Sequence, residues 1–243
     1  MGNSTEEIGI PLAVIAPCYN ESQYLENFIR EWSLALSEIN HQFFLIDDGS
    51  TDNTESLIES ISKKYPNLCY LKKSNSGHGL SCRFGYDYVL NLNKFSHILQ
   101  IDSDGQCNPN YFFEFWKLAK ENDCVFGIRQ KRDDGLLRTL TSFFCTTLSS
   151  IICGKSLKDA NVPYRLIKTC ALKNALKRVP KDFTIQNVAL TVALKSFRNV
   201  SFGYVPIHFK DRAAGSNSIN IFDVTKLGIK MLFELSKLNL RNK

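Results

Sequence analysis

His97-Ile98-Leu99-Gln100-Ile101-Asp102-Ser103-Asp104-Gly105-Gln106 is the stretch whose reading decides the fold. Ile98, Leu99 and Ile101 read as a buried strand. Two carboxylates then stand two apart, before a glycine that lets the chain turn sharply. Buried strands do not ordinarily end in paired acids unless a positive charge lies between them. Hard divalent cations such as Mg²⁺ or Mn²⁺ take oxygen ligands and complete their shell with water and substrate phosphate. Asp102-x-Asp104 at a strand end therefore points to a metal–diphosphate site. The competing reading is a polar turn, since Asp, Ser and Gly are turn residues.

Upstream, strand and helix patterns alternate. Ile10 to Ala16 reads as an apolar strand. Leu25, Phe28, Ile29, Trp32, Leu36 and Ile39 then fall at helical spacing, with Asn20 as the expected N-cap. Phe43 to Ile46 predicts a second strand running into Asp47-Asp48-Gly49-Ser50. The helix after it carries Leu57, Ile58 and Ile61 on one face, and Asp52 with Glu55 has capping-box spacing. Leu68 to Leu71 is a third strand, Leu80 to Leu90 a helix, and Cys124 to Phe126 a fifth strand. Strands separated by amphipathic helices pair in parallel, with helices on both faces. Ligands bind such sheets beyond the carboxyl ends of the strands. Pro17-Cys18-Tyr19-Asn20-Glu21, Asp47–Ser50, Asn75-Ser76-Gly77-His78-Gly79 and Asp102–Gln106 all fall there. Four polar clusters on one sheet edge are hard to explain as surface turns.

The bulk numbers agree with a globular protein. Hydrophobic residues make up 44% of 243 and charged residues 22%, which excludes wholesale disorder. The net charge of +6 suits a phosphate-bearing ligand or an anionic membrane face and is too dispersed to argue for nucleic acid. The eight cysteines contain no C-x-x-C pair, so they read as reduced thiols in a reducing compartment rather than a zinc site. Residues 1–9 are polar and lack the order of a signal peptide. No run of about 20 apolar residues is present. Thr139 to Gly154, the longest uncharged stretch, reads as a buried or membrane-surface helix.

Past residue 130 the pattern loosens. Arg129, Lys131, Arg132 and Arg138 form a basic cluster, and the planar fork of arginine suits phosphate. A solvated positive face, partly balanced by Asp133 and Asp134, is the alternative. Val205 to Phe209 reads as a late strand. Residues 222–243 predict an amphipathic helix. Val224, Leu227, Met231, Leu232, Leu235 and Leu238 are its stripe, with lysines around it against Asp223 and Glu234. Docking on the core and contact with a membrane surface both remain open for it.

Pro17-x-Tyr19-Asn20-Glu21, Asp47-Asp48-Gly49-Ser50-Thr51-Asp52, Asn75-x-Gly77-x-Gly79 and Asp102-x-Asp104, in that order, resemble a family 2 glycosyltransferase. The resemblance implies the GT-A fold: an α/β, Rossmann-like, mostly parallel sheet flanked by helices. Residues 10–221 would be the single glycosyltransferase domain, with 10–106 as the nucleotide-sugar-binding half and 107–221 as the acceptor-side half. Asp104-Gly105-Gln106, Arg129, Asp159, Tyr164-Arg165 and Arg212-x-x-Gly215 with Ser216 or Ser218 look like the dolichyl- or polyprenyl-phosphate mannosyl- and glucosyltransferase branch. Asn161-Val162-Pro163-Tyr164-Arg165 departs from the Gly-Phe-Arg of that branch, and Ile219-Asn220 replaces its closing lysine.

The resemblance implies a nucleotide-diphosphate sugar as donor. Asp102, Asp104 and Gln106 would hold Mg²⁺ or Mn²⁺ against the diphosphate. Pro17, Tyr19 and Glu21 would line the nucleoside pocket, and Asp48 would accept hydrogen bonds from base or ribose. Asp47 would serve its own loop, because strand alternation turns the two side chains opposite ways. Gly77 and Gly79 would allow close approach, with amides toward phosphate. Arg129 and Arg212 would join Asp104 in catalysis at phosphate. Arg138, Arg165, Ser216 and Ser218 would take the acceptor.

Relatives that glycosylate hydroxyls carry a Glu-Asp pair near a late helix. The matching stretch here, Phe183-Thr184-Ile185-Gln186-Asn187, has no acid, and Asp182 is the nearby candidate base. A phosphate monoester is already ionised and needs no strong base. The expectation is therefore transfer of a hexose to a polyprenyl phosphate, with inversion of the anomeric carbon as the resemblance implies. It would take place in the cytoplasm, peripheral on the inner membrane face, where a membrane-protein partner is possible. Transfer to a glycan hydroxyl and a non-catalytic nucleotide-sugar-binding subunit are the competing readings.

Overall fold

The computed structural model describes residues 11–132, 136–210 and 233–234. Seven strands form one sheet: β1 (Leu12–Cys18), β2 (His41–Asp47), β3 (Leu68–Lys72), β4 (His97–Gln100), β5 (Cys124–Arg132), β6 (Arg165–Lys168) and β7 (Phe202–Phe209), in the order β3-β2-β1-β4-β6-β5-β7. β1 pairs in parallel with β2 and β4, and β2 with β3. β6 runs antiparallel to both β4 and β5, while β7 is parallel to β5. Two antiparallel steps restore the direction, so β4, β5 and β7 all end at the same edge as β1.

β1 is buried along its whole length, as expected of a central strand covered on both faces. On one side lie α1 (Leu25–Ala35) and α4 (Phe112–Ala119). Trp32 of α1 meets Phe112 of α4 and Tyr164 edge-on, and Tyr164 stacks on Phe115 at 4.2 Å between centroids. Such aromatic pairs contribute about 0.5–1.5 kcal/mol beyond their burial. α2 (Thr54–Ser62) packs against β3 and α1. On the other side lies α3 (His78–Leu92), set close by Gly85, where a Cβ would collide with Ile15 and Ile46. Alongside are α5 (Leu136–Cys153), α6 (Thr169–Leu176) and α7 (Gln186–Ser196). α7 buries nearly every residue because it contacts α3, α5 and α6.

The predicted strands and helices that fall on the described residues are present with shifted ends, but two caps differ. Asn20 is not the N-cap of α1, which begins at Leu25 after Tyr24. Asn20 takes a positive φ, and its side chain accepts from the Thr51 amide at 2.8 Å. Asp52 does not form a capping box. Its carboxylate accepts from Thr54 and from the Ser22 amide, tying the second loop to the first. Residues 222–243, apart from Phe233 and Glu234, and the segment 1–9 lie outside the described residues.

Candidate active site

The loops leaving β1, β2 and β3 and the loop leaving β4 meet at one sheet edge and are bonded into a single rim. The Asp48 amide donates to the Cys18 carbonyl at 2.9 Å. The Asn20 amide donates to Ser50 Oγ, and the Glu21 amide to Thr54 Oγ1. Ser103 Oγ donates to the Pro17 carbonyl at 2.8 Å, fixing the acidic loop against the first.

Asp47 and Asp48 divide as strand alternation predicts. Asp47 faces its own loop, accepting from Ser50 N, Ser50 Oγ and Tyr70 OH. Asp48 faces the cleft and organises the third loop: it accepts from Lys73 Nζ, Ser76 N and Gly77 N. Burial pushes its carboxyl pKa up, but the Lys73 ammonium and the loop amides outweigh that and hold it below the ordinary aspartate value. The Gly77 amide, expected to face phosphate, is thus bound to Asp48. Gly77 itself stands at φ 91°, a conformation that favours glycine. Gly79 is required by a neighbour rather than by a ligand, since a Cβ there would run into the Thr184 carbonyl.

The result is a cleft of about 340 Å³. Pro17, Tyr19, Glu21, Asp48, Gly77, Asp102 and Asp104, all named from the sequence, line it, and Asn75 and His78 join them. His78 Nε2 lies 2.8 Å from Asp102 Oδ1. Cys82 and the Asp102 carboxylate beside this half-exposed imidazole raise its pKa well above the ordinary histidine value. Asp104 accepts from the Gln106 amide at 3.1 Å, around a Gly105 with φ 82°. The Gln106 side-chain amide donates to the Lys210 carbonyl at 2.7 Å, which orients it and brings the end of β7 beside the acidic loop. A larger hollow of about 460 Å³ lies between α3 and α6, shares no lining residue with this cleft and carries none of the motifs.

The Asp102 and Asp104 carboxylates in the cleft are oxygen donors of the kind that a hard divalent cation takes beside water and phosphate, whereas Gln106 does not line the cleft. Among the described residues no cluster of three or more His, Cys, Asp or Glu side chains forms a complete protein cage.

Two arginines depart from expectation. Arg129 directs Nε and Nη2 onto Asp159, with a further bond from Nη2 to Ser142 Oγ at 2.8 Å. It is nearly buried in that pair and does not line the cleft. Arg165 is fully buried and donates to the carbonyls of Val162, Asn187 and Ala160 at 2.6–2.8 Å. Burial lowers its pKa to about 10. It ties the loop before β6 to the start of α7, where no acceptor reaches it. Arg212, Ser216 and Ser218 lie outside the described residues, as does the side chain of Arg138. Sequence reading passes over Lys73 and gives His78, inside the third polar cluster, no role. Each directly follows or opens an element at the loaded sheet edge, and that position is the available signal.

A model of the family described as "Glycosyl transferase family 2" matches residues 13–173, well over half of the chain. The chain belongs to glycosyl transferase family 2. An uncharacterised protein of Methanocaldococcus jannaschii is 28% identical, with 91% of this chain and 99% of that one aligned. A second relative, the undecaprenyl-phosphate 4-deoxy-4-formamido-L-arabinose transferase of Salmonella choleraesuis, is 24% identical over 89% of this chain. The chain spans 64% of that relative's length. Among solved structures, the glucosyl-3-phosphoglycerate synthase of Mycobacterium tuberculosis, in complex with Mn²⁺ and UDP-glucose, superposes with a TM-score of 0.66 at 15% identity, covering 97% of this chain and 81% of that one. Staphylococcus aureus TarS with UDP-GlcNAc gives 0.58 at 21% identity, over 96% and 68%. These likenesses establish the GT-A architecture of this family 2 glycosyltransferase.

Proposed function

We propose that this glycosyltransferase moves a hexose from a nucleotide-diphosphate sugar to a polyprenyl phosphate, inverting the anomeric carbon in one displacement. The observation that carries the reading is the convergence of Pro17–Glu21, Asp48, Asn75–His78 and Asp102–Asp104 on one cleft. Pro17, Tyr19 and Glu21 take the nucleoside end. Asp48 and Lys73 shape the loop that faces it. Asp102 and Asp104, with Gln106, would hold Mg²⁺ or Mn²⁺, which offsets the charge on the departing diphosphate.

The acceptor reading rests on an acid that is missing. Phe183–Asn187 supplies none, and Asp182 is exposed. Glu234 reaches this loop, but both its oxygens accept from Thr184. An ionised phosphate acceptor needs no general base. The relative named as an undecaprenyl-phosphate sugar transferase supports the same class. Residues 10–106 then form the donor half and 107–221 the acceptor side, where Arg138, Arg212, Ser216 and Ser218 are the proposed phosphate contacts. The reaction takes place at the cytoplasmic face of a membrane. No helix among the described residues is long and apolar enough to span one.

Incubation with a panel of nucleotide sugars, Mg²⁺ or Mn²⁺, and either polyprenyl phosphate or glycan acceptors tests the proposal. A glycolipid product is expected. Transfer to a glycan hydroxyl alone would replace the acceptor. Absence of any metal-dependent donor hydrolysis would leave a binding subunit.

A further inference from the structure

α5 is amphipathic in the inverted sense. Ser142, Thr146 and Ser150 turn their hydroxyls inward, while Thr139 and Thr147 are exposed: Ser142 Oγ takes Arg129 Nη2, Thr146 Oγ1 takes the Ala160 amide at 3.1 Å, and Ser150 Oγ takes the Leu157 amide at 3.1 Å. Cys145 and Ser149 are buried on the same side. The outward face carries Leu140, Phe143, Phe144 and Ile151, spaced by three, four and seven residues so as to share one stripe. Phe143 and Phe144 are 65% and 64% exposed, and Ile151 71%. Among the described residues, none of these four side chains belongs to the packed core.

Between Asp134 and Asp159 the charge is of one sign. Residues 136–158 contain Arg138, Lys155 and Lys158 and no acid. Asp159, next along, is paired with Arg129. Lys155 and Lys158 are exposed just beyond the helix end. α5 also follows the end of β5, which lies at the same sheet edge as Asp102.

We propose that the outward face of α5 docks the enzyme on an anionic lipid surface, with the aromatic pair inserted among acyl chains and the flanking basic residues against headgroups. An apolar stripe with basic ends is the composition that lies in a membrane interface rather than across it. The docking places the headgroup layer beside the sheet edge that carries the cleft. It extends the lipid-acceptor reading above, so it is tested without that acceptor.

The experiment is co-sedimentation of the full chain with phosphatidylcholine vesicles, with and without phosphatidylglycerol. Three proteins are compared: the native chain, Phe143→Ser with Phe144→Ser, and an off-face control, Leu34→Ser with Phe113→Ser. Leu34 and Phe113 are both 77% exposed, on α1 and α4. Native chain and control should bind the anionic vesicles, and the α5 pair should lose about tenfold or more in partitioning. In the same vesicles, the indole fluorescence added by Phe144→Trp should be quenched by brominated lipid. Equal binding by all three proteins, no binding by the native chain, or no quenching of the added indole overturns the proposal. A lipid-free dimer that only the α5 pair dissociates would overturn it too, assigning the face to a second copy. Because the vesicles hold no polyprenyl phosphate, a wrong acceptor leaves these outcomes unchanged.

Discussion

Glu234 bonds Thr184 twice: one carboxylate oxygen accepts from the Thr184 amide at 3.1 Å and the other from its hydroxyl at 2.9 Å. The two residues are fifty apart in sequence, and the contact pins the loop that enters α7. That loop in turn presses its Thr184 carbonyl onto Gly79, one residue after the His78 that reaches Asp102. In the sequence Glu234 reads only as a charge balancing nearby lysines. Its buried carboxylate instead reaches the stretch in which an acid is missing.

Glu234→Ala should therefore destabilise the fold by about 2 kcal/mol, since a hydrogen bond to a charged group contributes roughly 1.5–3. Glu234→Gln, which keeps one acceptor, should recover part of that. Urea unfolding of the three proteins is the check. Identical midpoints and slopes for native chain and Ala variant would show that the contact contributes nothing.

Asp104→Asn should leave the fold intact and reduce transfer by roughly 10²–10³-fold, the usual cost of removing an electrostatic stabiliser of developing charge. The substitution keeps the acceptor that the Gln106 amide uses. A near-native rate with unchanged metal dependence rules out a role for Asp104 at the diphosphate.

The cleft is legible because it is local. Each of its motifs sits at the end of an apolar run, and parallel pairing gathers strand ends without further information. Asp48 can be separated from Asp47 by alternation alone. What is not legible is long-range. Arg129 looks like a phosphate ligand until Asp159, thirty residues on, claims its fork. Arg165 sits in a run that resembles an acceptor motif, yet it lies on a buried antiparallel strand that no hydrophobic period announces. α5 gives an ambiguous signal, buried or at a membrane surface, because composition does not say which way its hydroxyls turn.

Arg165→Met should unfold the domain more readily rather than weaken acceptor binding selectively. Three carbonyls lose a charged donor, and the expected loss is about 3 kcal/mol or more. Thermal unfolding in parallel with transfer kinetics separates the roles. A variant of native stability with a raised KM for the acceptor alone would restore Arg165 to the acceptor site.

His97 makes the fold acid-sensitive in a defined window. It opens β4, nearly buried, with its ring edge-on to Trp116 at 5.5 Å and Nδ1 2.9 Å from Ser96 Oγ. Its Nε2 has no hydrogen-bond partner among the described residues. Burial disfavours the imidazolium, the Lys168 charge adds to that, and the pKa falls from 6.5 to about 4. The unfolded chain takes a proton below its own value of 6.5, whereas the folded chain waits until about 4. Stability from neutral His97 is thus fully present above 6.5 and declines as pH falls toward 4. Each unit of separation corresponds to about 1.4 kcal/mol, so between neutral pH and a pH near 4.5 the native chain should lose about 2 kcal/mol through this group. His97→Phe preserves the edge contact with Trp116 and removes the titration. Its unfolding free energy, measured by urea at both pH values, should fall by about 2 kcal/mol less than that of the native chain. Parallel pH curves for the two proteins would show that His97 does not set the acid limit of the fold.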